Sequence, residues 1–175
     1  MTPIQTSGPP TALLMRAGGL ACALPIAHVI ETFRPLPVVQ VAMAPAGVMG
    51  MAFFQGDAVP VLHLATLMGD GDEAVTERFV AVRYAGRVVL LAVEGVVGFI
   101  ALRESDLQAL PLLLQGAQPR VVAGLASRDG LLVAVLAAVR LIEGLHQADL
   151  SPARARPACA AGEVPKVRGA GRRVA

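Results

Sequence analysis

The chain has 175 residues, 55% of them apolar, 16% charged and six aromatic, with a formal net charge of +2. That length buries a core without metal or disulfide, the composition excludes a chain disordered throughout, and the scarcity of rings argues against a base-stacking nucleic-acid surface. Residues 1–146 carry nine arginines against eleven acids while residues 147–175 carry six basic residues against two acids, so the basic character belongs to a tail and the body has little pull on phosphate backbones.

In chain order, residues 1–11 are rich in Pro, Gly, Ser and Thr and read as a flexible lead-in. The run 12–33 alternates apolar and small residues and reads as a hairpin turning at Gly18-Gly19. The longest uncharged stretch, 35–56, contains Pro35, Pro37 and Pro45 as well as Gly47 and Gly50. Those breaks leave no room for the ~20-residue apolar helix of a membrane span. The first residues also lack a basic, then apolar, leader pattern. A second hairpin is predicted over 47–64 with its turn at Gln55-Gly56-Asp57, and a third over 78–102 with its turn at Ala85-Gly86. Ser105 is a candidate N-cap for a helical turn over 105–110. A fourth hairpin follows over 121–136, turning at Arg128-Asp129-Gly130, and Val139, Ile142 and Leu145 then mark one side of a short helix over 137–146. Residues 147–175 show no periodic apolar face and read as a disordered basic tail.

The second and fourth hairpins repeat. Moving the second by 74 positions lays Val48 on Val122, Gly50 on Gly124, Gly56 on Gly130, Val61 on Val135 and Leu67 on Leu141. The expected architecture is mostly β, with few short helices. Its body covers 12–146, made of two related subdomains near 12–75 and 76–146, and the groove between two such halves is a natural binding surface.

Chemistry-bearing residues are few. His28, His63 and His146 share no metal-ligand spacing, and Cys22 and Cys159 are too few for a metal cluster. A reducing, cytoplasmic compartment without a disulfide is the simpler expectation. Cys22 lies in an apolar run and reads as a small hydrophobe more than as a nucleophile. The acidic cluster 69–73 is shorter than a calcium loop, and no Gly-Lys-Ser/Thr or Gly-x-Ser-x-Gly occurs. No enzyme, cofactor or metal is implied. Two further readings stay open: a small-ligand-binding β-barrel using His28, His63 and Gln55, and association with acidic surfaces through the tail.

The segment Val48-Met49-Gly50-Met51-Ala52-Phe53-Phe54-Gln55-Gly56-Asp57-Ala58-Val59-Pro60-Val61-Leu62-His63-Leu64 resembles the V-x-G-x-x-N-L-R-G-x-x-x-P-[VI]-x-D-L signature of CheW-like domains. Cys22 to Glu31 is similar to that family's strand ending in V-x-E, Gly86 to Val96 to its G-x-x-x-G-[LI]-x-V-D-x-V strand, and Gly124 to Ile142 to its closing segment. The resemblance implies two SH3-like five-stranded β-barrels around a shared hydrophobic core. It also implies a non-catalytic adaptor between the cytoplasmic tip of a methyl-accepting chemoreceptor and the regulatory domain of a CheA-type histidine kinase. By position, Val29, Glu31, Gln55 and Gly56 fall in the kinase-facing region, and Ala58, Val89, Val96 and Phe99 line or flank the receptor groove. Five polar positions depart from the pattern: Gln55 replaces the signature Arg, Phe53 an Asn, and His63, Glu94 and Ala137 an Asp each. A Glu31–Gln55 ion pair is therefore excluded, and an unpartnered, desolvated Glu31 would cost about 1–3 kcal/mol. Such losses leave room for an accessory scaffold with another partner.

Overall fold

The computed structural model describes residues 11–69, 75–102, 106–109, 121–128 and 130–143. Most of the lead-in, residues 70–73 of the acidic cluster, Ser105, Asp129, His146, Cys159 and the tail lie outside them. Eleven strands are described: β1 Thr11–Ala17, β2 Leu20–Pro25, β3 Val29–Phe33, β4 Val48–Phe54, β5 Asp57–His63, β6 Arg78–Tyr84, β7 Arg87–Val93, β8 Gly95–Ala101, β9 Leu107–Gln108, β10 Val122–Arg128 and β11 Leu131–Leu136. A 3-10 turn, Ile26–His28, joins β2 to β3, and two short helices, α1 Leu64–Leu67 and α2 Ala138–Glu143, follow β5 and β11. The predicted tight turns are present: Gly18-Gly19, Gln55-Gly56 and Ala85-Gly86 all have positive φ at both residues, the geometry that matches the twist of a two-residue hairpin.

The strands form two sheets. Sheet A has the order β8-β1-β2-β11-β10-β9, and sheet B the order β3-β6-β7-β5-β4. Each first hairpin therefore sits in the sheet of the other half of the chain. β1 and β2 lie between β8 and β11, while β6 and β7 lie between β3 and β5. The runs after Pro25 and Val93 leave their hairpins and cross to the opposite sheet as β3 and β8. A cut near residue 75 separates strands that share a sheet.

The halves nevertheless repeat strand by strand. Met15 pairs with Val96 and Leu13 with Phe99; Val82 pairs with Val29 and Val80 with Thr32, the same register 67 positions apart and with a bulge at the same place. From β4 onward the spacing becomes 74: Val48–Leu62, Gly50–Val61 and Ala52–Val59 return as Val122–Leu136, Gly124–Val135 and Ala126–Val133. The glycine of each V-x-G has one purpose. A Cβ on Gly50 would stand 2.2 Å from the Val39 carbonyl oxygen, and one on Gly124 would stand 2.9 Å from that of Gln108. In each half a further segment lies against this strand: Val39 exchanges two backbone hydrogen bonds of 2.8 Å with Met51, and β9 pairs with β10. Leu107 and Gln108 are thus strand, not helical turn, because β10 offers them an open edge.

Three apolar clusters follow from the period-2 alternation of the strands. Ala52, Val61, Phe79 and Leu90 fill the inner face of sheet B, and Ala12, Ala126, Val133 and Leu102 that of sheet A. Between the sheets lies a shared core of Leu13, Met15, Cys22, Leu24, Leu62, Val80, Val89 and Leu91, closed by Leu64 of α1 and Leu141 of α2. The shared core is as expected; the closed barrels are not. Among the described residues neither sheet closes through backbone hydrogen bonds. In sheet B side chains occupy the seam instead: Phe33 on edge strand β3 stacks on Phe54 of edge strand β4, centroids 5.3 Å apart and 10° from parallel.

Candidate functional site

The seam of sheet B carries the first candidate group. Glu31 is exposed on β3, and Gln55 is exposed in the β4–β5 turn at φ +52°. Gln55 Nε2 donates to Glu31 Oε1 at 3.0 Å. The ion pair stays excluded, since the amide carries no charge, but the amide spans the same gap as a donor and Glu31 keeps a partner. Because the carboxylate is in water, its second oxygen stays solvated and no desolvation penalty arises. Gly56 is exposed beside it at φ +94°, with open space where a Cβ would stand. Val29, half-buried, starts β3 opposite Val82 and packs against the shared core. Val29 and Glu31 come from β3 and Gln55 and Gly56 from the β4–β5 turn, and the Glu31–Gln55 bond spans 24 positions of sequence across the seam of sheet B.

The second group divides. Val96 and Phe99 lie on β8, the edge of sheet A, opposite Met15 and Leu13 of the shared core. Directly opposed residues share a face, so both point toward the side of sheet A that meets sheet B. Val96 is half-buried; Phe99 is 67% exposed, at the rim. Ala58 is exposed on β5, an even step from Leu62 of the shared core, and Phe53 stands opposite it, 73% exposed. Sheet B thus also presents an apolar rim on its inter-sheet face. Val89 is different: at 1% exposure it is inside the shared core and offers a partner no surface.

Several contacts were not legible in the sequence. Glu94 ties the crossing strand to the first hairpin: its carboxylate accepts from the Gly19 backbone N–H at 3.1 Å, and its own N–H donates to the Arg16 carbonyl at 3.0 Å. His63 is buried and starts α1; its Nδ1 lies 2.7 Å from Thr66 Oγ1, three residues on. Its ring therefore meets the first helical turn through a side chain, not through the backbone N–H that an Asp would take. His28 makes a tilted ring contact with Tyr84, centroids 5.5 Å apart. Cys22 is fully buried, and desolvation, with Glu94 adding repulsion, pushes its thiol up to about 12; such a thiol is no nucleophile at neutral pH. A cleft of about 580 Å³ opens beside His63 and Thr66 under the 40–49 segment, and among the described residues no Asp, Glu, Lys or Arg lines it. Among the described residues no three His, Cys, Asp or Glu side chains converge as a metal would need, and no helix is long and apolar enough to cross a membrane.

Comparison with known proteins bears on this geometry. The family model for the CheW-like domain matches residues 11–146. Among solved structures the chain is similar to the scaffolding protein TtCheW from Thermoanaerobacter tengcongensis, with a TM-score of 0.67 at 20% identity over 74% of this chain and 90% of that one. No curated protein matches the sequence.

Proposed function

The chain belongs to the CheW-like domain family, and from that membership we propose a non-catalytic adaptor that couples a chemoreceptor to a CheA-type histidine kinase in the cytoplasm. The observation that carries this reading is the exposed Glu31–Gln55 bond. It joins the two positions that the family resemblance assigns to the kinase side, across a seam that nothing in the sequence order brings together. Val29 and Gly56 complete that surface, with 12–146 as the working unit. Ala58, Val96 and Phe99, joined by Phe53, supply apolar rim surface of the kind a helical receptor tip covers. Val89 supports that surface from beneath.

A ligand-binding barrel is the weaker alternative. Its interior would have to be open, and Phe33, Phe54 and Phe79 pack ring against ring inside sheet B, with centroids 5.3 and 6.1 Å apart.

Titration calorimetry of the full chain against the kinase regulatory domain of the same organism tests the proposal. One-to-one binding, weakened at least tenfold by Glu31→Lys without loss of fold, is the expected result. Binding indifferent to Glu31→Lys would remove the seam from the interface. Absence of binding by the unaltered chain would point to an accessory scaffold with a different partner.

A further inference from the structure

The reciprocal placement of the two first hairpins has a consequence for a second copy of this chain. Call the first half 11–69 and the second half 78–143. Sheet A takes β1 and β2 from the first half and β8 to β11 from the second; sheet B takes β6 and β7 from the second half and β3 to β5 from the first. The halves hold each other by pairings on both sheets: β1 with β8, β2 with β11, β3 with β6 and β5 with β7. The shared core adds Leu13, Cys22 and Leu62 from one half and Val80, Val89 and Leu136 from the other. None of these contacts depends on the halves being covalently joined. The join between them is residues 68–77, which run Met-Gly-Asp-Gly-Asp-Glu-Ala-Val-Thr-Glu, a polar and glycine-containing stretch with no apolar pattern of its own.

We propose that two copies of this chain bind each other by reciprocal exchange of halves. The first half of each chain then pairs with the second half of the other. Every strand pairing and core contact is reproduced twice, and only the two connectors change course. Exchange of an identical element in this way carries little enthalpic cost. The balance is set by the effective concentration that a ten-residue connector imposes, on the order of millimolar. The single-chain form prevails in dilute solution, and the two-chain form gains wherever the chain is locally concentrated, as in a scaffold. The exchanged particle presents two Glu31–Gln55 seams on one body, so it is bivalent toward any partner of that surface.

The test uses the full chain with a protease site placed in the 70–74 connector segment. The protein is unfolded in guanidinium and refolded at a series of concentrations, and its mass is read by size exclusion with light scattering. The expected result is a species of twice the chain mass whose share rises with refolding concentration, and which falls to the mass of one chain when the connector is cut. Single-chain protein, cut in the same way, keeps its mass because its halves stay interlocked. Absence of the double-mass species at every concentration would overturn the proposal, as would a double-mass species that keeps its mass after cutting. A second experiment does not depend on the inserted site. Gly50→Val disables the first half and Gly124→Val the second, since each would drive a side chain into the backbone of Val39 or Gln108. Co-refolding the two variants yields one particle with an unaltered first half on an unaltered second half. Recovery of the parent thermal transition in the mixture, absent from either variant alone, is the expected result; a mixture that behaves as the sum of its parts overturns the proposal.

Discussion

Ala85 is an exposed alanine at φ +49°, followed by Gly86 at φ +79°. A left-handed alanine costs about 1–2 kcal/mol over a right-handed one, partly offset by the entropy that a glycine would lose. Ala85→Gly is therefore expected to stabilise the chain by about 0.5–1 kcal/mol, read as a rise in thermal midpoint. Gly50→Ala is expected to do the opposite. Its Cβ would meet the Val39 carbonyl oxygen at 2.2 Å, so the Val39–Met51 bridge must open, and the loss is about 2 kcal/mol or more by denaturant titration. Cys22 gives a pH prediction. Its thiol keeps its proton to about 12 in the folded chain against 9.0 as the ordinary value. Between those values the unfolded chain releases a proton that the folded chain retains. The contribution to stability is thus full below pH 9 and falls as pH rises toward 12, by about 1.4 kcal/mol per pH unit. Measuring unfolding free energy in the parent and in Cys22→Ala across this range isolates the effect, because the slope from this group disappears in the variant.

At the level of strands, the seam of sheet B divides its work between rings and polar groups. The Phe33–Phe54 stack is largely withdrawn from water, and Phe33→Ala is expected to cost about 2–3 kcal/mol, a value at the low end for Phe because the ring is only half-buried. The exposed Glu31–Gln55 bond adds little to stability. Gln55→Arg would convert it to a surface ion pair worth about 0.2–1 kcal/mol, weaker at high salt. Under the proposed kinase contact its larger expected effect is on affinity for that domain, so calorimetry and thermal unfolding together separate the two contributions. The hairpins were legible because their turns are marked by glycine and their strands by alternation, both local signals. The 74-residue repeat was legible through Gly50, Gly56, Gly124 and Gly130. The companion repeat at 67 was not: its strands match in register but share few identities, Met15 against Val82 and Cys22 against Val89. Periodicity fixes which face of a strand is apolar and leaves open which strand lies beside it. That is why β3 and β8 read as continuations of their hairpins; Val89, placed at the groove by the family resemblance alone, belongs to the shared core.

For the whole molecule, the shared core couples the two sheets. The chain has one tyrosine and no tryptophan, and Tyr84 lies in β6 of sheet B. Tyrosine emission therefore reports sheet B while far-ultraviolet dichroism reports both sheets. The two signals are expected to follow one transition in denaturant, and Leu141→Ala, which leaves a cavity between the sheets, is expected to lower both together by about 2–4 kcal/mol. Separate midpoints would mean that the sheets unfold independently. The crossed hairpins also set the order in which the chain can fold during its synthesis. Leu13 leaves the ribosome 86 residues before its neighbour Phe99, and Cys22 leaves 112 residues before Ala134. At about 5–20 residues per second, the hairpin of β1 and β2 waits several seconds with both edges unpaired. Sheet B can assemble once β7 has emerged, but sheet A has to wait for β11. The β1–β2 hairpin is made before the strands on either side of it and is among the last to have its outer edges covered, so it is the part of the nascent domain most exposed to aggregation.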